Sequence, residues 1–211
     1  MFPRANQMRR EVVQVCQLLY QRGLIVGTEG NVSVRVAPDR LWITPTGCHK
    51  GLMQPEDLLL IDVDGQVHFG HGQPSSEMAM HLALYRSRVD VQAVVHAHPP
   101  IATALTVAGY RFESALLPEA VVALGEVPTL AYQMPTTPQF AQAIGEVMQQ
   151  ADGVLLENHG SVTVGTSLLM AFSRMEMIER VAHIFYCAQT LGRVQRLSPE
   201  AVEALQALRH M

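Results

Sequence analysis

A chain of 211 residues that is 48% hydrophobic and 16% charged has the composition of a packed domain, and excludes a disordered one. A formal net charge of -4 excludes a broadly basic surface, and with it nucleic acid or an anionic membrane as the expected partner. Three widely spaced cysteines, Cys16, Cys48 and Cys187, exclude a disulfide framework or zinc knuckle and point to a reducing cytoplasm.

The length suits one domain over residues 1–211. The opening stretch carries Arg9, Arg10 and Glu11 where a signal peptide needs its apolar centre. It reads instead as an amphipathic helix with Val12, Val13, Cys16, Leu19 and Tyr20 on one face, ending near Gly23. A transit peptide is the alternative. No later run reaches the roughly 18 apolar residues of a membrane span. GTEGN (27–31) is a loop, VSVRV (32–36) an alternating strand, and LWIT (41–44) a second strand across the turn PDR. PTGCHKG is a loop that looks exposed. LLLIDVDGQVHF (58–69) reads as a hairpin about Asp64-Gly65. PSSEMAMHLALYRSR is a helix capped by Ser75 or Ser76, with Glu77 in its first turn. VQAVVHAH is a buried strand stopped by Pro99-Pro100, and IATALTVAG the next helix. EVPTLAY (126–132) reads as a strand, and TPQFAQAIGEVMQQ as a helix opened by Thr137-Pro138. GVLLEN and SVTVG are strands, and SLLMAFSRMEMIERVAHIFYCAQTLG one long helix. Ser198 caps a last short helix with Pro199 at its first position. Strands and helices interleave, which predicts an α/β layered domain with a mixed sheet.

His96 and His98 occupy positions i and i+2 of a buried strand, so they project side by side with Cα atoms roughly 6–7 Å apart. They lie at the strand's C-terminal end, where ligands of α/β sheets collect. Two imidazoles at that spacing can chelate one divalent ion; two core histidines bonded to carbonyls is the bland alternative. His159, in the Asn-His-Gly corner after another buried strand, supplies a third. Three histidines with an open fourth position fit a catalytic zinc site. Glu77 is the candidate fourth group, its charge favoured by the helix dipole, although a first-turn Glu can serve the helix alone. His81, one turn later on the same face, is a lower-ranked alternative ligand. His49, His68, His71, His183 and His210 have no partner spacing and read as structural or solvated.

Three short segments offer backbone N–H groups and hydroxyls suited to a phosphate: Gly27, Thr28, Gly30 and Asn31; Thr44, Thr46 and Gly47; and Ser75 with Ser76 at a helix start. Each taken singly reads equally as an ordinary turn. Their value lies in convergence around the proposed metal.

In this order and spacing, TEGNVSVR, ITPTG, QPSSEMAMH, VVHAHPP and LLENHG resemble the class II aldolase/adducin family, and within it the L-fuculose-1-phosphate aldolase group. The resemblance spans roughly residues 8–195. It implies a three-layer α/β/α domain with a central mixed, largely antiparallel sheet, assembled as a homotetramer with active sites at subunit contacts. It implies zinc held by His96, His98, His159 and a displaceable Glu77, with Mn2+, Co2+ or Fe2+ as possible replacements. It implies that Gly30, Asn31, Thr46, Gly47, Ser75 and Ser76 hold the phosphate of a small sugar. The implied reaction cleaves a ketose 1-phosphate to dihydroxyacetone phosphate and a small aldehyde through a metal-stabilised enediolate, with Glu77 moving the proton.

Related 4-epimerases carry Asp in the motif of Glu77, which favours carbon–carbon cleavage here. Adducin-type interaction domains lack the metal histidines, all three of which are present. The aldolases draw a proton-donating tyrosine from a neighbouring subunit; the matching segment, SALLPEAVV, has none and offers Glu119, between Tyr110 and Tyr132. Residues 197–211 also lack the family's tail tyrosine. Metal-dependent decarboxylases, dehydratases and 4-epimerases of sugar phosphates therefore stand as alternatives, as does a non-catalytic adducin-like interaction domain. A Schiff-base aldolase would have to use Lys50, the sole lysine.

Overall fold

The computed structural model describes residues 2–209, with side chains from residue 6 onward. His210 therefore lies outside the described residues. Seven α-helices among them surround an eight-stranded sheet. The strands are β1 (Asn31–Ala37), β2 (Arg40–Ile43), β3 (Leu59–Asp62), β4 (Val67–Phe69), β5 (Ala93–Ala97), β6 (Thr129–Leu130), β7 (Gly153–Leu156) and β8 (Gly160–Gly165). Their order across the sheet is β4-β3-β2-β1-β5-β8-β7-β6. Every neighbouring pair is antiparallel except β6 with β7, so the sheet is mixed and largely antiparallel.

The helices are α1 (Phe2–Gln21), α2 (Met78–Ser87), α3 (Pro100–Val107), α4 (Pro118–Leu124), α5 (Pro138–Val147), α6 (Leu168–Leu191) and α7 (Pro199–Arg209). Alternation along β5 divides the core. Ala93, Val95 and Ala97 meet Val12, Cys16, Leu19, Phe172 and Met175 of α1 and α6. Val94 turns the other way, toward Met80 and Leu84 of α2 and Phe140 and Ile144 of α5. Covered on both faces, β5 must be apolar at almost every position. A further cluster joins α3, α4 and α6 through Ala102, Leu124 and Ile178, with Leu155 of β7 beneath. The result is a three-layer α/β/α arrangement.

Several expectations shift. Tyr20 is 42% exposed, and Val15 takes its place on the buried face of α1. The strand expected over 126–132 shortens to Thr129–Leu130. Helix α4 was not expected; Pro118 opens it and Leu124 and Val121 anchor it to the core, so tertiary burial decides a segment with little pattern of its own. The N-cap of α2 is Glu77 itself, not Ser75 or Ser76. Ser75 instead accepts from the Glu77 N–H at 3.2 Å. This moves the Glu77 carboxylate off the helix end and toward the sheet.

Candidate metal centre

β5 sits between β1 and β8, with His96 opposite Asn31 on one side and Val162 on the other. His96 shares the parity of Val94 and so faces the α2 layer, where it is fully buried. Its Nδ1 lies 2.9 Å from the Ser161 carbonyl oxygen. A carbonyl only accepts, so Nδ1 carries a hydrogen and Nε2 is directed at the site. His98 follows the strand end, its backbone N–H held by Leu24 O at 2.9 Å. Its Nε2 is 3.1 Å from His96 Nε2. His159 stands on the tight turn from β7 to β8, where Asn158 takes a positive φ of 57°, as Asn tolerates. The three ring centroids are 4.9, 4.9 and 5.1 Å apart. One nitrogen from each lies within 4.8 Å of the others, as a shared ion requires.

Two glycines make this packing possible. Gly30 has φ 66°, and a Cβ there would come within 2.7 Å of His96 O. A Cβ on Gly160 would come within 2.7 Å of the His98 ring.

Glu77 completes the cluster. Its Oε2 is 2.8 Å from Asn31 Nδ2 and 3.2 Å from His96 Nε2, and its Oε1 is 3.6 Å from His159 Nε2. Burial alone would raise this carboxyl, but His96, the Asn31 amide and His159 together hold it well below the usual carboxylate range. Burial, reinforced by charge on His96, lowers His98 to about 3 and His159 to about 4. Both therefore present lone pairs at neutral pH. For His96, burial opposes protonation, but the Glu77 charge outweighs it and raises the imidazole; a cation bound between them would substitute for that proton.

The donor set fits a divalent metal. Two nitrogens about 2.0–2.1 Å from a tetrahedral zinc stand roughly 3.3–3.4 Å apart, close to the 3.1 Å between His96 and His98. Glu77 Oε1 is buried without a hydrogen-bond partner, the condition that a ligand or ion relieves.

His81 is not part of the cluster. It is fully buried, and both ring nitrogens are engaged, Nδ1 with Ser33 and Nε2 with Asn31. The three Gly/Ser/Thr loops do converge. Ser75 N donates to Thr44 O at 3.1 Å and Thr46 N to Gln73 O at 3.0 Å. The loop of Gly30 is joined to them by Lys50, whose backbone N donates to Gly27 O. Its ammonium donates to Thr28 O at 3.1 Å and Cys48 O at 2.9 Å. Thr46, Gly47 and Ser76 face solvent, whereas Asn31 and Ser75 are buried.

Lys50 corrects the expectation of an exposed loop lysine: it is 2% exposed. Burial lowers its pKa, but two carbonyls fix the ammonium and no open face is left for an imine. Glu119 lies exposed in the first turn of α4. Among the described residues it is neither hydrogen-bonded nor ion-paired to the histidine cluster. Sequence reasoning missed Glu29, whose Oε2 is 3.4 Å from His98 Nδ1, together with Ser33 and Tyr85 behind His81. Glu29 sits inside the loop GTEGN, where the glycines and hydroxyls drew attention; the other two carry no spacing signal.

Residues 10–186 match the family described as Class II Aldolase and Adducin N-terminal domain. The chain is 32% identical over 179 residues to an L-fuculose phosphate aldolase of Methanococcus maripaludis, covering 85% of this chain and 96% of that one. It is also 32% identical over 182 residues to a 3-oxo-tetronate 4-phosphate decarboxylase of Haemophilus influenzae, covering 84% and 86%. A solved L-fuculose 1-phosphate aldolase superposes with a TM-score of 0.87 at 30% identity, covering 96% of each chain.

Proposed function

The chain belongs to the class II aldolase/adducin family, and from that premise we propose that it is a zinc-dependent aldolase cleaving an L-fuculose 1-phosphate-like ketose 1-phosphate to dihydroxyacetone phosphate and a small aldehyde. The observation that carries the reading is the three-imidazole cluster, with an ionised Glu77 whose Oε1 has no hydrogen-bond partner.

His96, His98 and His159 would hold the ion, with Glu77 beside them. When bound, it supplies Lewis acidity to the carbonyl and hydroxyl oxygens of the sugar and offsets the negative charge that carbon–carbon cleavage leaves. The chain's own residues do the rest. In cleavage the sugar hydroxyl gives up its proton as the carbon–carbon bond breaks and Glu77 passes a proton to the enediolate carbon, so that none is gained or lost overall; in the bond-forming direction its carboxylate removes the proton from that carbon. Thr46, Gly47 and Ser76 present N–H and hydroxyl groups to the phosphate, and Gly30 and Ser75 shape the same cradle. Glu119, exposed on α4, is the candidate proton donor delivered to a neighbouring subunit's site in a homotetramer. The enzyme would work in the cytoplasm on a soluble phosphorylated sugar.

The test is a coupled assay for dihydroxyacetone phosphate with L-fuculose 1-phosphate, using zinc-loaded and chelator-treated protein. Release of both carbon fragments, lost with the metal and restored by zinc, is the expected result. The decarboxylase named among the relatives supports a second reading. Carbon dioxide released from a 3-oxo-tetronate 4-phosphate, with no cleavage of the ketose, would establish that reading in place of the first.

A further inference from the structure

Glu77 is reached from behind by a row of buried polar side chains that the proposed reaction does not use. Asn31 Nδ2 donates to Glu77 Oε2 at 2.8 Å, because an ionised carboxylate can only accept. That choice turns the amide. Asn31 Oδ1 then faces His81 Nε2 at 2.5 Å, and the carbonyl oxygen accepts, so Nε2 carries the hydrogen. A neutral imidazole protonated at Nε2 has a bare Nδ1, which accepts from Ser33 Oγ at 2.6 Å. Ser33 has now used its one hydrogen, and its oxygen receives the Tyr85 hydroxyl at 2.9 Å.

Each orientation follows from the one before. Reversing any link opposes two donors or two acceptors, at about 1–3 kcal/mol for each buried group left unsatisfied. All four side chains are buried, with His81 and Ser33 at 0% exposure. Burial is the chief reason that His81 is pulled down to about 3, which keeps the ring neutral and singly protonated as the sequence of bonds requires.

We propose that Tyr85, Ser33, His81 and Asn31 form a one-way hydrogen-bond array that positions Glu77, gripping Oε2 beside His96 and leaving Oε1 without a hydrogen-bond partner beside His159. The inference rests on the reading of Glu77 as metal ligand and proton carrier. It makes Asn31 a positioning residue for Glu77. The array holds a charge without conducting one, since an amide nitrogen does not pass a proton along as an imidazole or hydroxyl does.

The test has two parts. In metal-loaded wild-type protein labelled with 15N at histidine, the His81 ring should show a bare Nδ1 and a protonated Nε2 at neutral pH; the opposite tautomer overturns the array. Zinc affinity is then measured by competition with a chromophoric chelator. Ser33→Ala removes the donor to His81 without touching Glu77 or a histidine of the cluster, and should weaken zinc about 10-fold. Added to Glu77→Gln, Ser33→Ala should weaken zinc no further than Glu77→Gln does alone. An equal weakening in both backgrounds shows general loosening of the site and overturns the proposal. If Glu77→Gln alone binds zinc as tightly as wild type, Glu77 is not a ligand and the premise falls, while the His81 tautomer still decides the array's direction.

Discussion

At the scale of single residues, what distinguishes the three histidines is what their second nitrogens do. His96 is oriented by Ser161 O and His98 lies against Glu29, whereas His159 Nδ1 is buried and unpartnered. An ion would complete a set already aimed. Purified wild type should carry about one zinc per chain, and His98→Ala should fall well below that by elemental analysis. A metal-free wild type prepared without chelator would remove the lyase reading. Glu77→Gln keeps the shape of the side chain and removes its ability to take a proton. Its turnover should drop by roughly 10²–10⁴, measured with saturating zinc so that occupancy is not the cause.

At the scale of elements, the close approach of β8 to the end of β5 decides whether the histidines can meet. Gly160→Ala puts a Cβ against the His98 ring and the Ala97 carbonyl. It should destabilise the fold by about 1–3 kcal/mol and lower zinc affinity together, a pairing seen by denaturant unfolding and chelator competition. Helix α2 brings a second consequence through His81. Its pKa falls from 6.5 to about 3 on folding, chiefly through burial. The unfolded chain then binds more protons between those values. The stabilisation is complete above about pH 6.5 and is lost as pH falls toward 3, with a limiting slope of about 1.4 kcal/mol per pH unit. Denaturant titrations across that window should show a shallower acid limb for His81→Gln than for wild type.

At the scale of the whole molecule, distant parts of the chain meet at Asp152. Its carboxylate accepts from Arg88 after α2 at 2.8 Å and from Arg209 of α7 at 2.5 Å, and it forms an ion pair with Arg174 of α6 at 2.6 Å. Arg174 also donates to the Ala123 and Val164 carbonyls. Removing Asp152 leaves three guanidinium groups facing one another in a partly buried place, with Asp90 still paired to Arg88. Asp152→Ala should cost about 3–5 kcal/mol, read from urea unfolding. It should also detach α7, read as faster amide exchange over residues 199–209; wild-type exchange there would show that α7 is held by its apolar contacts alone.

Much of this was legible in the chain itself. The apolar run of β5, the i, i+2 spacing of His96 and His98, and the corner that carries His159 follow from strand period and turn chemistry, which are local. So do the hairpin about Asp64-Gly65 and the long α6. The motifs that mark the family are short and ordered along the chain, so they could be read without a fold. Tertiary structure alone decided the rest. The sheet order sets Asn31 opposite the sequence-distant His96, and no local pattern encodes that register. Burial of Lys50 depends on the loop of Gly27 and Thr28 closing over its own loop, so its loop composition misled. Glu77 as the N-cap of α2, and the direction of every hydrogen bond behind it, follow from which donors and acceptors are left facing one another once water is excluded.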